Sequence, residues 1–174
     1  MRKGAVMSMR SLLIGGTLVA GVVAAVANTG PFDDHTDRDS TGEIVDAGGL
    51  GAFKIQVGDC INWPDNVVTA GGQELASVEG VPCDQLHDAQ AITQFDLPGS
   101  PTFEQQAIEF QAMLGCVERW EPVIGTDFGE DGLHDMLALT PSSAGWTLVH
   151  DRSVICVVVS LSGLPLIGSM VAEG

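Results

Sequence analysis

Residues 89–120, AQAITQFDLPGSPTFEQQAIEFQAMLGCVERW, change period midway, and that change decides the fold class. Ala89-Gln90-Ala91-Ile92-Thr93-Gln94-Phe95 alternates apolar and polar, the signature of a half-buried strand, and closes at Pro98-Gly99. Phe103, Ala107, Phe110, Leu114 and Val117 then recur at steps of four, three, four and three, which predicts one face of a helix. Ser100 before Pro101, or Thr102 with Gln105 three residues later, supplies the N-terminal signal, and Pro122 sets the expected end near Trp120. Phe53-Lys54-Ile55-Gln56-Val57 before the turn at Gly58-Asp59, Met136 to Thr140, Trp146 to Val149 and Val154 to Ser160 read as further strands. The last is apolar enough to be covered on both faces. The apolar tail from Ile155 to Val171 is broken by Ser160, Ser162, Gly163 and Pro165, so it reads as that strand, a turn and a short final strand rather than a membrane span. Several strands and one amphipathic helix predict an α+β fold, the helix packed on an antiparallel sheet.

Two different segments precede this unit. Arg2, Lys3 and Arg10 lead into the uncharged run Leu12 to Ala27, LLIGGTLVAGVVAAVA, which ends Ala25-Val26-Ala27. A basic start, an apolar stretch and a small-residue end are the pattern of a signal peptide cleaved after Ala27. The same 16 residues also suit a short uncleaved anchor, and both readings place the rest of the chain on the exported side. Residues 28–52, NTGPFDDHTDRDSTGEIVDAGGLGA, are rich in Asp, Gly and Thr and poor in large apolar side chains, which predicts a disordered acidic linker. Asp37-Arg38-Asp39-Ser40-Thr41-Gly42-Glu43-Ile44 resembles the opening of a calcium loop, but Gly48 stands where a bidentate Glu should close the cage. The expected organisation is therefore 1–27 export segment, 28–52 linker and 53–174 folded domain.

The 174 residues carry 23 Asp and Glu against 7 Lys and Arg, a formal charge of −16. Without residues 1–27 the balance is 4 basic against 23 acidic residues, net −19. A chain with so few cations to cluster on phosphates is not a nucleic-acid binder.

Cys60, Cys83, Cys116 and Cys156 all follow the export segment, and none forms a C-x-x-C pair. An even count in an oxidising compartment predicts disulfides. Three pairings exist. Cys60 with Cys83 and Cys116 with Cys156 is favoured, because it pins the opening strand to the segment before Ala89 and staples the helix to the late strand. Zinc held by Cys60, Cys83 and His87 is the rival reading.

The chain has no G-x-S-x-G elbow, P-loop, H-E-x-x-H or dinucleotide fingerprint. Three His-Asp dipeptides occur, at His87-Asp88, His134-Asp135 and His150-Asp151. Neighbours on a strand point to opposite faces, so a dipeptide alone makes no catalytic dyad. Structural roles are expected for these residues, an ion pair for Asp151 with Arg152, and no catalytic residue, cofactor or metal ion. A metal-dependent hydrolase built on the His-Asp groups is the alternative.

The motif residues also carry a resemblance. Val57-Gly58-Asp59-Cys60, then Val81-Pro82-Cys83-Asp84-Gln85-Leu86-His87-Asp88-Ala89, the helical Cys116, Pro141 with Trp146 and Asp151-Arg152-Ser153-Val154-Ile155-Cys156, and Gly168-Ser169 together resemble the septum-formation domain of actinobacterial envelope proteins. The likeness covers residues 54–174. Leu86 stands where a Pro usually precedes the His, and His150 where a Gly usually precedes Asp-Arg. The resemblance implies a domain tied to a membrane segment or export signal and linked to septum formation; it implies no reaction. His87, Trp146, Asp151 and Arg152 become interaction candidates. The expected partner is an envelope protein or wall component, with residues 12–27 available for membrane anchoring.

Overall fold

A computed structural model describes residues 30–64, 75–100, 102–130 and 132–171. The export segment lies outside these residues, as do Asp65-Asn66 and Gly71-Gly72, whose residue types predict turns. The chain forms β1 (Asp37–Arg38), β2 (Ile44–Asp46), β3 (Gly48–Gly51), β4 (Cys60–Asn62), β5 (Ser77–Val81), β6 (Ala89–Asp96), α1 (Gln105–Ile124), β7 (His134–Leu139) and β8 (Ser153–Ser160). Six strands make one antiparallel sheet in the order β3-β5-β4-β6-β8-β7, while β1 and β2 pair as a separate hairpin. The fold is α+β, with one main helix packed on the sheet. Both favoured disulfides are present, Cys60–Cys83 and Cys116–Cys156.

The sheet is buried on both faces, which explains the unbroken apolar run of β8. Val154, Cys156 and Val158 point to the α1 side, where they meet Ile92, Ala112, Trp120 and Met136. Ile155 and Val157 point the other way and join Ile44, Leu50, Ile55, Ile61 and Val78. Alternate positions thus serve two cores instead of one core and solvent.

Residues 30–52, expected to belong to a disordered linker, take part in the fold: Gly48–Gly51 is the edge strand β3, and the arm before it lies along that strand and adds Ile44 to the second core. The glycines that suggested flexibility do the opposite. In β3 they let another segment of backbone lie directly against the strand. A Cβ on Gly51 would sit 2.5 Å from the Gly30 oxygen and the Pro31 carbonyl carbon, and one on Gly48 would collide with the His35 carbonyl. The arm is bonded along β3: the His35 amide donates to the Gly49 carbonyl (2.8 Å), the Gly51 amide to Asp33 (2.7 Å), and the Phe53 amide to Pro31 (2.9 Å). Gly51→Ala would normally favour a strand; here it should cost about 1–3 kcal/mol by overpacking, read as a lowered midpoint in urea. An unchanged midpoint would mean that the arm does not lie on β3.

The hairpin carries its own turn chemistry. The Asp39 carboxylate accepts the Thr41 amide (2.8 Å) and hydroxyl (2.6 Å) and the Glu43 amide (3.1 Å), and Gly42 takes φ 93°. The oxygens of the calcium-like run therefore close a tight turn. Hydrogen bonds from the Thr41 hydroxyl and amide hold the Asp39 carboxyl below its ordinary 3.8. At Asp34, burial pushes the carboxyl up, but the hydroxyl and amide of Thr36 and the charge of Arg38 outweigh it and leave it below 3.8. A depressed carboxyl contributes stability that is complete above its unfolded value and is lost as pH falls through its folded value. The arm should therefore hold at pH 5 and above and loosen below about pH 4, seen as broadening of the Thr41 and Gly42 amide signals. Signals unchanged down to pH 2 would contradict these assignments.

Five local expectations are corrected. Phe53–Val57 is not a strand: Ala52–Lys54 is a 3-10 turn, and the chain curls so that the Gln56 amide donates to the Asp59 carboxylate (2.8 Å). The helix presents Ile108, Ala112, Gly115, Cys116 and Trp120 to the core, not the expected face; Phe110 is 66% exposed and Leu114 49%. Cys116 must reach Cys156, and the Phe95 ring fills the space where a Cβ on Gly115 would lie, so small residues face the sheet and larger ones face outward. The helix also runs past Pro122 to a left-handed Gly125, because Val123 and Ile124 still pack on the core. Gly145–Val149 is a π-helical turn instead of a strand, started by Ser142, whose hydroxyl accepts the Gly145 amide (3.0 Å) and whose carbonyl accepts the Trp146 amide (2.8 Å). After β8 a single bridge, His87 with Leu166, replaces the expected final strand, since Pro165 lacks an amide proton and Gly163 and Gly168 turn the chain.

Candidate functional site

The two edges of the sheet are treated differently. At β3 the arm covers the edge, with a bridge from Asp34 to Leu50. At the other end β7 pairs only with β8, and among the described residues no strand covers its outer side. Register places His134, Met136 and Ala138 on alternate pairs across from Ser160, Val158 and Cys156. The Met136 amide donates to the carboxylate of its neighbour Asp135 (2.8 Å), outside the ladder. By alternation the Ala138 amide and carbonyl then also face outward.

A groove of about 950 Å³ runs along this edge. On the second face of the sheet its lining includes Leu137, Leu139, Ile155, Leu75, and the stacked rings of Phe32 and Phe53, whose centroids are 4.8 Å apart. It continues around Thr140–Gly145 to Ile108, Glu109 and Met113 of α1. Its charged lining residues are Glu109 and Asp151, both acidic. Among the described residues the cations are directed elsewhere. Arg38 makes two hydrogen bonds to the buried Asp59 carboxylate, at 2.6 and 2.9 Å. Arg119 lies over the Phe95 ring at 4.2 Å, and Lys54 does not line the groove. An apolar trough with an acidic rim beside an uncovered strand can take up an extended apolar segment bearing positive charge.

The expected ion pair of Asp151 with Arg152 does not form. Arg152 lies 3.6 Å over the Trp146 ring and donates to the carbonyls of Trp146 (3.0 Å), Asp151 (2.7 Å) and Ser100 (3.3 Å). The Asp151 carboxylate accepts the Ser153 amide (3.0 Å). Trp146 is buried and donates from Nε1 to the Ser100 carbonyl (3.1 Å), with Phe103 edge-on to its ring. Arg152 is thus a clasp that gathers three loop carbonyls, sharing that of Ser100 with the Trp146 ring nitrogen. This clasp fixes the loop that closes one end of the groove.

The His-Asp dipeptides are dispersed. His87 is fully buried, with Nδ1 2.9 Å from the Gln85 carbonyl. Its Nε2 has no partner among the described residues. His134 opens β7, whereas His150 is exposed and lies beyond the far end of that strand, in a left-handed conformation. The three neighbouring aspartates each hold a backbone amide: Asp88 that of Trp63 (2.8 Å), Asp135 that of Met136, and Asp151 that of Ser153. Among the described residues no three His, Cys, Asp or Glu side chains gather as a metal site. Cys60 and Cys83 are disulfide-bonded, so the zinc reading of Cys60, Cys83 and His87 is overturned.

The two disulfides mark an oxidising compartment. Among the described residues no helix is long and apolar enough to cross a membrane. Comparison with known protein families, curated proteins and solved structures returns no match.

Proposed function

We propose that the chain is an exported binding module of the cell envelope, without enzymatic activity, that serves septum formation. Residues 12–27 would keep it at the membrane, or cleavage after Ala27 would release it. The observation that carries this reading is the apolar groove along β7, bounded by Glu109 and Asp151 and held in shape by the Arg152 clasp. The disulfides support export, and the residues resembling the septum-formation domain support the envelope. Only Asn28 and Thr29 separate Ala27 from Gly30, where the described fold begins. A retained anchor would therefore hold the groove near the membrane surface, not at the end of a spacer.

Site-specific photo-crosslinking in growing cells tests this. A photoreactive residue at Leu148, exposed on the groove rim, should give a discrete adduct with an envelope component enriched at division sites. The same probe at exposed Glu43 in the hairpin turn should not. Equal labelling from both positions, or a reduced chain in the cytoplasm, would overturn the proposal.

A further inference from the structure

We infer that the groove recognises its partner as an added β-strand: an extended peptide pairs with the outer edge of β7, places apolar side chains in the groove and carries Lys or Arg beside them. This rests on the binding-module reading and names its ligand class. Three observations converge. β7 presents the backbone of Met136 and Ala138 outward, with no strand beyond them among the described residues. The groove contains side chains from both sides of that edge, Leu137 and Leu139 on one and Ile108 and Met113 on the other, so alternate residues of an incoming strand find apolar surface in both directions. The groove's charged lining is acidic, which selects a basic strand by charge complementarity. The Asp135 carboxylate on the Met136 amide protects the free edge at one point, the device by which exposed edges resist indiscriminate pairing. The edge beyond it, at the outward amide and carbonyl of Ala138, is where pairing starts.

The probe is an acetylated, amidated nonapeptide of alternating Val and Thr with Lys at each end, titrated into the disulfide-intact protein by NMR. Expected is saturable, sub-millimolar binding with the largest amide shifts at Ala138, Leu139 and Thr140. A peptide with Pro at positions 4 and 5, which lacks the amide donors there, should bind at least tenfold more weakly. Glu109→Lys, a change at an exposed helix position, should weaken the Lys-ended peptide several-fold and strengthen a Glu-ended one. Ala138→Pro, which removes an outward amide, should abolish the shifts; Glu109→Lys keeps the inference testable if that variant does not fold. Equal binding of the Pro peptide, or shifts centred away from β7, would overturn strand addition. If no peptide binds but the Leu148 adduct forms in cells, strand addition falls and the binding-module reading stands; if neither is seen, both fall.

Discussion

Arg38→Ala is expected to destabilise the folded chain by about 3–5 kcal/mol, the usual consequence of removing one partner of a buried ion pair. Asp59 is only 4% exposed, and its two oxygens receive two guanidinium hydrogen bonds, so truncation leaves a buried carboxylate facing no cation. Arg38 also donates to the Gly42 carbonyl (2.9 Å) and to Asp34 (3.3 Å), so the hairpin turn loses its tether to the sheet. The acidic partner outweighs burial here: hydrogen bonding to Asp59, opposed by burial, raises the Arg38 pKa above its ordinary value, so the side chain stays charged at every relevant pH. Asp59 has a second role, since it accepts the Gln56 amide and thereby turns the chain before Cys60. Asp59→Asn in the Arg38→Ala background should therefore recover part of the loss by removing the orphaned charge while keeping an acceptor for that amide. Urea unfolding of the two single variants and the double variant would show a coupling above about 1 kcal/mol, as expected for directly contacting residues. Additive effects would mean that the two residues do not meet.

Removing the Cys116–Cys156 bridge, as Cys116→Ala with Cys156→Ala, is expected to cost about 4 kcal/mol from chain entropy, against about 3 for the Cys60–Cys83 bridge. The ordering follows from the enclosed loops, which span 40 and 23 residues. The larger consequence concerns α1. Its buried face is made mostly of small residues, so the staple and Trp120 carry much of its attachment to β8. Without the bridge the helix should loosen first, and the groove would lose the wall formed by Ile108 and Met113. Urea unfolding with the other disulfide intact checks the magnitude. A loss below about 1 kcal/mol would show that packing alone holds the helix.

The parts of this architecture that local pattern governs could be read from the sequence. Alternation at Ala89–Phe95 and the continuous apolar run Val154–Ser160 became β6 and β8, and even cysteine count with export gave two bridges in the favoured pairing. The misread parts are those where a distant contact overrides local pattern. Glycines at 48 and 51 signal flexibility by composition, yet they admit the arm because only backbone can approach so closely. Phe110 and Leu114 look like core residues by periodicity, yet the position of Cys116 rotates the helix away from them. Ser142 before a short helical turn was a capping signal within reach of sequence reading. The groove was not legible, since its walls come from Phe32, Phe53, β7 and α1, and no local rule brings those together. Arg38 offered a faint signal, a single cation in a strongly acidic stretch, but its partner Asp59 lies 21 positions away.

The central claim is that the acidic N-terminal arm belongs to the folded domain and, through Phe32, forms part of the groove. Native-state hydrogen exchange on the disulfide-intact protein tests it most directly. The account predicts that the amides of His35, Gly51 and Phe53, bonded to Gly49, Asp33 and Pro31, are strongly protected at neutral pH, together with those of β6 and β8. Exchange of these three amides at the rate of an unfolded chain, with β6 and β8 still protected, would contradict it.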